Sequence, residues 1–170
     1  MPKPRFLIVM GVAGSGKTTV GQALASRLGW EFYEGDHFHP SANIAKMKAG
    51  IPLDDHDRAP WLASLRDLIA SCLEQGCSGV LACSALKERY RRILQSAGPG
   101  VMFVYLKGSY DLFYSRLADR MEHYLKADML QSQFKDLEEP TDALTIDAGL
   151  SVGEIVDDVM AKFGELQPST

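Results

Sequence analysis

The chain has 170 residues, of which 46% are hydrophobic and 24% are charged, and its formal net charge is −4. This size and composition predict a single domain over residues 1–170 with enough apolar material for a core, and the acidic balance excludes the basic surface of a typical nucleic-acid-binding protein. Its three cysteines lack the spacing of a disulfide framework, which excludes a secreted disulfide scaffold and indicates a cytoplasmic protein.

Short apolar runs alternate with helical patterns along the chain. The predicted strands cover residues 6–10, 31–34, 79–83, 101–106 and 144–147. The predicted helices cover 17–28, 41–48, 60–74, 87–95, 110–121, 128–137 and 151–163, with Ser41 as an N-cap and Pro60 in the first turn of its helix. This alternation predicts an α/β fold in which a parallel sheet of five strands carries helices on both faces. The first apolar run is too short for a signal sequence or a membrane span, so no membrane partner is expected.

Residues 11–18 read GVAGSGKT, which matches the G-x-x-x-x-G-K-[ST] motif and lies between a buried strand and a helix. Glycines let this loop approach a ligand closely, and its N–H groups then form an anion nest at the start of a helix. Lys17 is expected to reach the β- and γ-phosphates, and Thr18 to place its hydroxyl on Mg²⁺. The motif therefore predicts a nucleoside triphosphate site formed by Gly11, Val12, Ala13, Gly14, Ser15, Gly16, Lys17, Thr18 and Thr19.

Two acidic residues follow the second predicted strand. The chain lacks the N-K-x-D and D-x-x-G strings of Ras-type GTPases, and its third strand ends in Ser84 without a carboxylate. This pattern and the small size favour a small-molecule kinase, in which acceptor and nucleotide meet under a lid. Glu34 and Asp36 are two apart in an extended segment and should point to the same side. We expect Asp36 to orient the acceptor hydroxyl and Glu34 to join the magnesium shell through water.

A longer pattern extends beyond the phosphate loop. Residues 35–62 match GD-x-x-HP-x-x-N-x-x-KM-x-x-G-x-PL-x-D-x-DR-x-PWL, CSALK follows at 83–87, and ML-x-x-QF occurs at 129–134. With these motifs the chain resembles the gluconate kinase family from about residue 6 to residue 160. The resemblance implies a P-loop fold of the nucleoside-monophosphate-kinase and shikimate-kinase type, with a helical lid at about 118–138. It also implies transfer from ATP to D-gluconate, giving 6-phospho-D-gluconate and ADP, in a homodimer.

The polar run after the second strand suits such a substrate, because gluconate carries one carboxylate and five hydroxyls. A planar guanidinium binds a carboxylate through two parallel hydrogen bonds, so Arg58 is the first candidate for a clamp. Lys87, just after the third strand, is the second cation expected to face the same crevice. The predicted substrate-binding residues in these segments are Asp36, His39, Lys46, Arg58 and Lys87.

Two arginines in the predicted lid region are four residues apart and therefore share one helical face. Arg120 is expected to contact the β- and γ-phosphates and to act in catalysis with Lys17 and Asp36, because phosphoryl transfer spreads negative charge over the phosphate oxygens. Arg116 is expected to contact adenine or phosphate. His123 in the lid is a further predicted substrate contact, and Asp147 is expected to lie at the edge of the adenine pocket.

Two alternatives stay open at this point. The nearer one is a P-loop kinase of another small hydroxy acid such as shikimate, against which the polar run 36–58 and the CSALK segment weigh. The more distant one is a nucleotide-binding regulatory module without turnover. Asp36 and the two lid arginines, which accompany an intact phosphate loop, weigh against that second reading.

Overall fold

One parallel sheet of five strands forms the centre of the computed structural model, which describes residues 3–117 and 123–165, with the backbone alone for 123–125 and 165. The strands are β1 (Phe6–Met10), β2 (Glu31–Glu34), β3 (Gly79–Ala82), β4 (Val101–Lys107) and β5 (Leu144–Asp147). Their order across the sheet is β2-β3-β1-β4-β5, and every pairing is parallel. The predicted α/β class and parallel five-stranded sheet are confirmed.

The central strand β1 is buried along its whole length. Leu7 and Val9 face one hydrophobic cluster, whereas Phe6, Ile8 and Met10 face another on the opposite side of the sheet. A strand covered on both faces needs apolar side chains at every position, which explains the unbroken apolar run in the sequence.

Seven helices are present in the described segments, and they cover both faces of the sheet. They are α1 (Lys17–Leu28), α2 (Ser41–Lys48), α3 (Asp55–Glu74), α4 (Glu88–Gln95), α5 (Tyr110–Arg116), α6 (His123–Asp136) and α7 (Val152–Glu165). Side chains of α1, α5, α6 and α7 pack in one cluster, and those of α3 and α4 pack in the other. Within the same segments no helix combines the length and apolarity needed to cross a bilayer.

Helix α3 begins five residues earlier than the sequence predicted. Asp54 is its N-cap: the Asp54 side chain accepts from the Asp57 N–H at 2.7 Å, and the Asp57 side chain accepts from the Asp54 N–H at 3.1 Å. This reciprocal pair is a capping box built with aspartate at the N3 position. Pro60 consequently lies inside the helix, so its predicted place in the first turn is wrong.

Smaller corrections concern the ends of other helices. Pro40 is the N-cap of α2, and Ser41 is its first helical residue, so the predicted capping role of Ser41 is wrong. Helix α5 ends at Arg116, well before the predicted 121, and α6 includes residues from His123 onward, five residues before the predicted start at 128. A short 3₁₀ turn over Gly35–Phe38, which the sequence did not predict, follows β2.

Replacing Asp54 by alanine should lower the free energy of unfolding by about 1 kcal/mol, because the cap of α3 is lost. Urea denaturation measures this change. The matched control is Asp67→Ala on the same helix, at an exposed position that pairs only loosely with the adjacent Arg66 at 3.2 Å. The control should stay within about 0.5 kcal/mol of the parent, and equal loss in both variants would contradict the capping role.

Candidate active site

The loop after β1 has the backbone shape of a phosphate cradle. Gly11, Gly14 and Gly16 have φ angles of 152°, 81° and 96°. A Cβ atom on Gly14 would lie 2.7 Å from the carbonyl oxygen of Phe113, so a side chain does not fit there. The buried Ser15 hydroxyl has no hydrogen-bond partner in the part of the chain that the structure describes. This loop, which we call the P-loop (residues 11–18), therefore fits a group that brings hydrogen-bond acceptors.

Lys17 lies in this loop and is half-buried. Its Nζ donates to the carbonyl oxygen of Val12 at 3.1 Å. Burial lowers the pKa of Lys17, and the negative charges of Asp36 and Glu34 oppose that effect. The two predicted acids therefore lie close enough to act on the lysine, and an anionic phosphate beside Lys17 would further compensate its buried charge.

The first residues of α1 meet the end of β2. The Thr18 hydroxyl donates to the Glu34 carboxylate, with 2.5 Å between Oγ1 and Oε2. A hydroxyl and a carboxylate are hard oxygen donors of the kind that Mg²⁺ prefers. The described residues contain no cluster of three or more histidine, cysteine or acidic side chains suited to a metal. The Thr18–Glu34 pair therefore fits a metal that takes its remaining ligands from phosphate and water.

Asp36 is held at the protein surface by the 3₁₀ turn that carries it. The Gly35 carbonyl accepts from the buried indole Nε1 of Trp61 at 2.8 Å, and a Cβ atom on Gly35 would lie 2.6 Å from the Ala82 carbonyl oxygen. The ring of His39 stacks on Trp61 with 4.2 Å between centroids, and burial lowers the pKa of His39. Because the turn is fixed from two sides, Asp36 has a defined place beside the P-loop.

Four charged side chains lie around Tyr90 and form with it a group that we call the Tyr90 cluster (Asp55, Arg58, Lys87, Arg89 and Tyr90). The Arg58 guanidinium donates to the Tyr90 hydroxyl at 3.0 Å. The Tyr90 hydroxyl and Arg89 both donate to the Asp55 carboxylate, and Lys87 lies 3.5 Å from it. The three cations lie 5.7 to 5.8 Å from the centroid of the Tyr90 ring.

The charges of the Tyr90 cluster do not balance. Three cations face a single carboxylate, so the cluster keeps two positive charges in excess. The hydrogen bond from Tyr90, helped by the charges of Lys87 and Arg89, holds the pKa of Asp55 below its usual value. Asp55 thus stays ionised and holds the cations in place, but it balances only one of their three charges. The cluster is therefore suited to a second carboxylate.

Sequence reasoning found Arg58 and Lys87 and included Asp55 in the polar run 36–58, but it missed Arg89 and Tyr90. Asp55 opens α3, and Arg89 and Tyr90 lie in the first turn of α4. Their position in the sequence could have identified Arg89 and Tyr90 as candidates, because they closely follow the CSALK segment at the carboxyl edge of the sheet.

Lys46, a predicted substrate contact, is already paired in this structure. Its Nζ lies 2.8 and 2.9 Å from the two carboxylate oxygens of Asp57. The buried Asn43 side chain donates to the Asp57 carbonyl at 2.8 Å and lies 3.2 Å from His39 Nδ1. These bonds tie α2 to the first turn of α3, so the observed contact of Lys46 is with the protein itself.

Arg116 joins the P-loop to the loop after β5. Its guanidinium donates to the Ala148 carbonyl at 2.6 Å and more weakly to the Ser15 carbonyl at 3.4 Å. Asp147 accepts from the Gly149 N–H at 2.8 Å and so shapes the same loop. Both predicted nucleotide contacts therefore lie beside the P-loop. Arg120 and the side chain of His123 lie outside the described residues.

Arg91 is a buried cation that the sequence reading did not single out. It donates to the carbonyl oxygens of Ala85 and Leu86 at 2.8 and 3.0 Å, and to that of Glu138 at 2.7 Å. Ala85 has a φ angle of 44°, which is unfavourable for a residue with a side chain. Arg91 therefore fixes the strained loop that carries Lys87 and ties it to the segment after α6.

Comparison with known proteins agrees with this geometry. The sequence profile of the shikimate kinase family matches residues 13–162. The chain is 49% identical over 140 residues to the gluconokinase of Gluconobacter oxydans (strain 621H), which covers 82% of this chain and 79% of that one. It is 43% identical over 144 residues to the thermoresistant gluconokinase of Escherichia coli (strain K12), covering 82% of each chain.

Among solved structures, a gluconokinase is also more similar to this chain than a shikimate kinase is. A gluconokinase from Sinorhizobium meliloti 1021 matches with a TM-score of 0.88 and 40% identity, covering 98% of this chain and 95% of that one. A shikimate kinase from Aquifex aeolicus vf5 matches with a TM-score of 0.58 and 16% identity over 94% of this chain and 96% of that one, a likeness of fold alone. The predicted P-loop kinase fold is confirmed.

Replacing Arg91 by methionine should lower the free energy of unfolding by about 3 kcal/mol, because carbonyl groups at the base of the site lose a charged donor. Arg92→Met is the matched control, since Arg92 is the adjacent residue and its side chain is 77% exposed. The control should change stability by less than about 0.5 kcal/mol. Thermal and urea unfolding of both variants measure the difference, and similar values for the two would refute the anchoring role.

Proposed function

The chain belongs to the gluconokinase family, and on that premise we propose how its site transfers the γ-phosphoryl group of ATP to the 6-hydroxyl of D-gluconate. The resemblance predicted from residues 35–62 and 83–87 is confirmed by the gluconokinase relatives. The observation that carries the mechanism is the position of the Tyr90 cluster. Lys87 of this cluster belongs to the CSALK segment, and that segment meets the P-loop where the Gly11 N–H donates to the Ser84 carbonyl at 3.3 Å.

The Tyr90 cluster is proposed to bind the carboxylate of gluconate. Arg58 and Lys87 supply the charge, and Asp55 and Tyr90 hold these side chains in place. A carboxylate needs fixed cations, whereas a neutral sugar would leave the excess charge uncompensated. Polar side chains of the segment 36–58 are then available to the hydroxyl groups of the substrate.

Asp36 is proposed to orient the terminal hydroxyl for in-line attack on the γ-phosphorus. This proposal is supported by the charge of Asp36, which acts on both Lys17 and His39, so the carboxylate lies near both side chains. A carboxylate that accepts a hydrogen bond from the hydroxyl group can also take up its proton as the new bond between oxygen and phosphorus forms. Lys17 is proposed to contact the β- and γ-phosphates, and Arg120 to stabilise the charge on the transferred group.

Magnesium is proposed to bind at the Thr18–Glu34 pair. When bound, the cation would offset negative charge on the β- and γ-phosphates. The Thr18 hydroxyl and the Glu34 carboxylate meet at 2.5 Å, so both oxygens are available at one point. Glu34 is proposed to hold water of the metal shell, in keeping with the few protein ligands that Mg²⁺ usually takes.

Several further features of the enzyme stay predictions. These are the single domain with a lid at about 118–138, the homodimer and the cytoplasmic location. The substrate roles of His39, Lys46 and His123 and the nucleotide roles of Arg116 and Asp147 belong with them. Shikimate is disfavoured as the acceptor, because gluconokinases are 49% and 43% identical to this chain, whereas two shikimate kinases of known structure are 16% and 17% identical.

A coupled ADP assay tests the reaction directly. The purified protein with Mg²⁺ and ATP should release ADP when D-gluconate is added, and much more slowly with shikimate or with a neutral sugar. Glucose is a useful control, because it offers a primary hydroxyl without a carboxylate. Equal ADP release with and without gluconate would contradict the proposal.

Asp36→Asn should reduce kcat by about 100-fold or more and leave the Kd for ATP within about threefold, because the amide cannot take up the hydroxyl proton. Steady-state kinetics and calorimetric titration with ATP measure the two effects separately. Asp67→Asn, at an exposed position of α3, is the control and should behave like the parent. Unchanged turnover in the Asp36 variant would overturn its role.

Arg58→Ala should raise the KM for gluconate by about tenfold or more, because a charge-assisted hydrogen bond to the carboxylate is lost. The KM for ATP should change little. Arg66→Ala removes another arginine from α3, one that pairs with the adjacent Asp67 at 3.2 Å, and should leave both constants as they are. A normal KM for gluconate in the Arg58 variant would show that the carboxylate binds elsewhere.

A further inference from the structure

A side chain of α6 reaches the P-loop from 120 residues away. Gln133 Oε1 accepts a hydrogen bond from the backbone N–H of Ala13 at 2.6 Å. Gln133 belongs to the ML-x-x-QF motif, to which the mechanism above gives no role. Helix α6 lies within the predicted lid at about 118–138. The bond therefore connects this segment to an amide of the phosphate cradle, and both parts are expected to act on the same triphosphate.

The orientation of the Gln133 side chain follows from this bond. A backbone N–H is only a donor, so the atom that faces it must be the carbonyl oxygen of the carboxamide. The other end of the same planar group, Nε2, then carries two N–H donors beside the loop. Among the described residues Nε2 has no hydrogen-bond partner, and Gln133 as a whole is only half-buried.

Packing on both sides of Gln133 keeps it at the loop. Leu130 is fully buried in the core, and the Phe134 ring stacks on Phe113 with 6.1 Å between centroids and lies 5.9 Å from Tyr110. Phe113 in turn packs directly against Gly14 of the P-loop. Apolar contacts therefore pack α6 against the loop, and the Gln133 hydrogen bond adds a polar contact to this packing.

We propose that Gln133 is a residue of the triphosphate site, whose Nε2 donates to the γ-phosphoryl group while Oε1 holds the Ala13 amide. This inference rests on the proposed use of ATP. Oε1 already satisfies the Ala13 N–H, so the glutamine provides its own two donors to an anion at this end of the cradle. A neutral donor that touches the γ-phosphoryl oxygens favours ATP over ADP, because ADP lacks those oxygens.

Gln133 could instead have a purely structural role, in which it only holds the Ala13 N–H; we call this role a latch. The two roles differ in the chemistry that they require. A latch needs only an acceptor for the Ala13 N–H, and a carboxylate accepts that bond at least as well as an amide. A phosphate contact needs the Nε2 donors, which a carboxylate lacks and replaces with a negative charge. Gln133→Glu therefore keeps the latch and removes the contact, with almost no change in side-chain shape.

The test compares the binding of ADP with that of a non-hydrolysable ATP analogue by calorimetry, in the full-length chain with Mg²⁺. Gln133→Glu should weaken the analogue by about tenfold or more relative to ADP, because a donor is exchanged for a repelling charge. Gln131→Glu, at an exposed position of the same helix, is the matched control and should leave the ratio unchanged. Thermal unfolding of Gln133→Glu should follow the parent.

Gln133→Met gives a second variant if the glutamate form does not fold. It removes the donors without adding charge, and should also weaken the analogue more than ADP. An unchanged ratio in the folded variants, or equal loss for both nucleotides, would overturn the proposal and leave Gln133 as a latch. These titrations need no acceptor, so they are independent of whether gluconate is phosphorylated.

Discussion

The hydrogen bond from the Gly11 N–H to the Ser84 carbonyl joins the two loops on which the active site is built. It is possible because β1 and β3 are adjacent parallel strands in register, so their carboxyl ends reach the same edge of the sheet. One loop continues into the P-loop and α1, and the other into Lys87 and α4. The phosphate cradle and the proposed acceptor site therefore share one base at the carboxyl edge of the sheet. There β1 lies between β3 and β4, and the chain continues outward from it in both directions.

Charge explains why this base suits an acid as the acceptor. The Tyr90 cluster keeps two positive charges in excess around one ordered carboxylate. In the P-loop, the half-buried Lys17 lies close enough to Asp36 and Glu34 for their charges to act on it. In the proposed mechanism the substrate carboxylate and the triphosphate have separate cationic sites, and Asp36 lies beside the second of them, where its charge also acts on His39. This separation holds an anionic acceptor close to an anionic donor without relying on either charge to neutralise the other.

The strands and the P-loop could be predicted from the sequence because their signals are local. Burial of β1 on both faces requires a continuous apolar run, and the phosphate loop has a fixed motif with glycines at left-handed positions. The start of α3 was predicted wrongly, because Pro60 is typical of a first helical turn. The capping box that starts the helix has aspartate in place of the usual glutamate or glutamine at N3. The bonds of Arg91 to Glu138 and of Gln133 to Ala13 could not be predicted, because their partners are 47 and 120 residues away.

Proton-coupled ³¹P NMR of the product tests the central claim most directly, since it identifies the hydroxyl that receives the phosphoryl group. With the carboxylate held at the Tyr90 cluster and Asp36 at the far end of the substrate, the phosphorus signal should show coupling to the two protons of the C6 methylene group. Coupling to a proton on any other carbon would contradict the account. So would a spectrum that contains only ADP and inorganic phosphate.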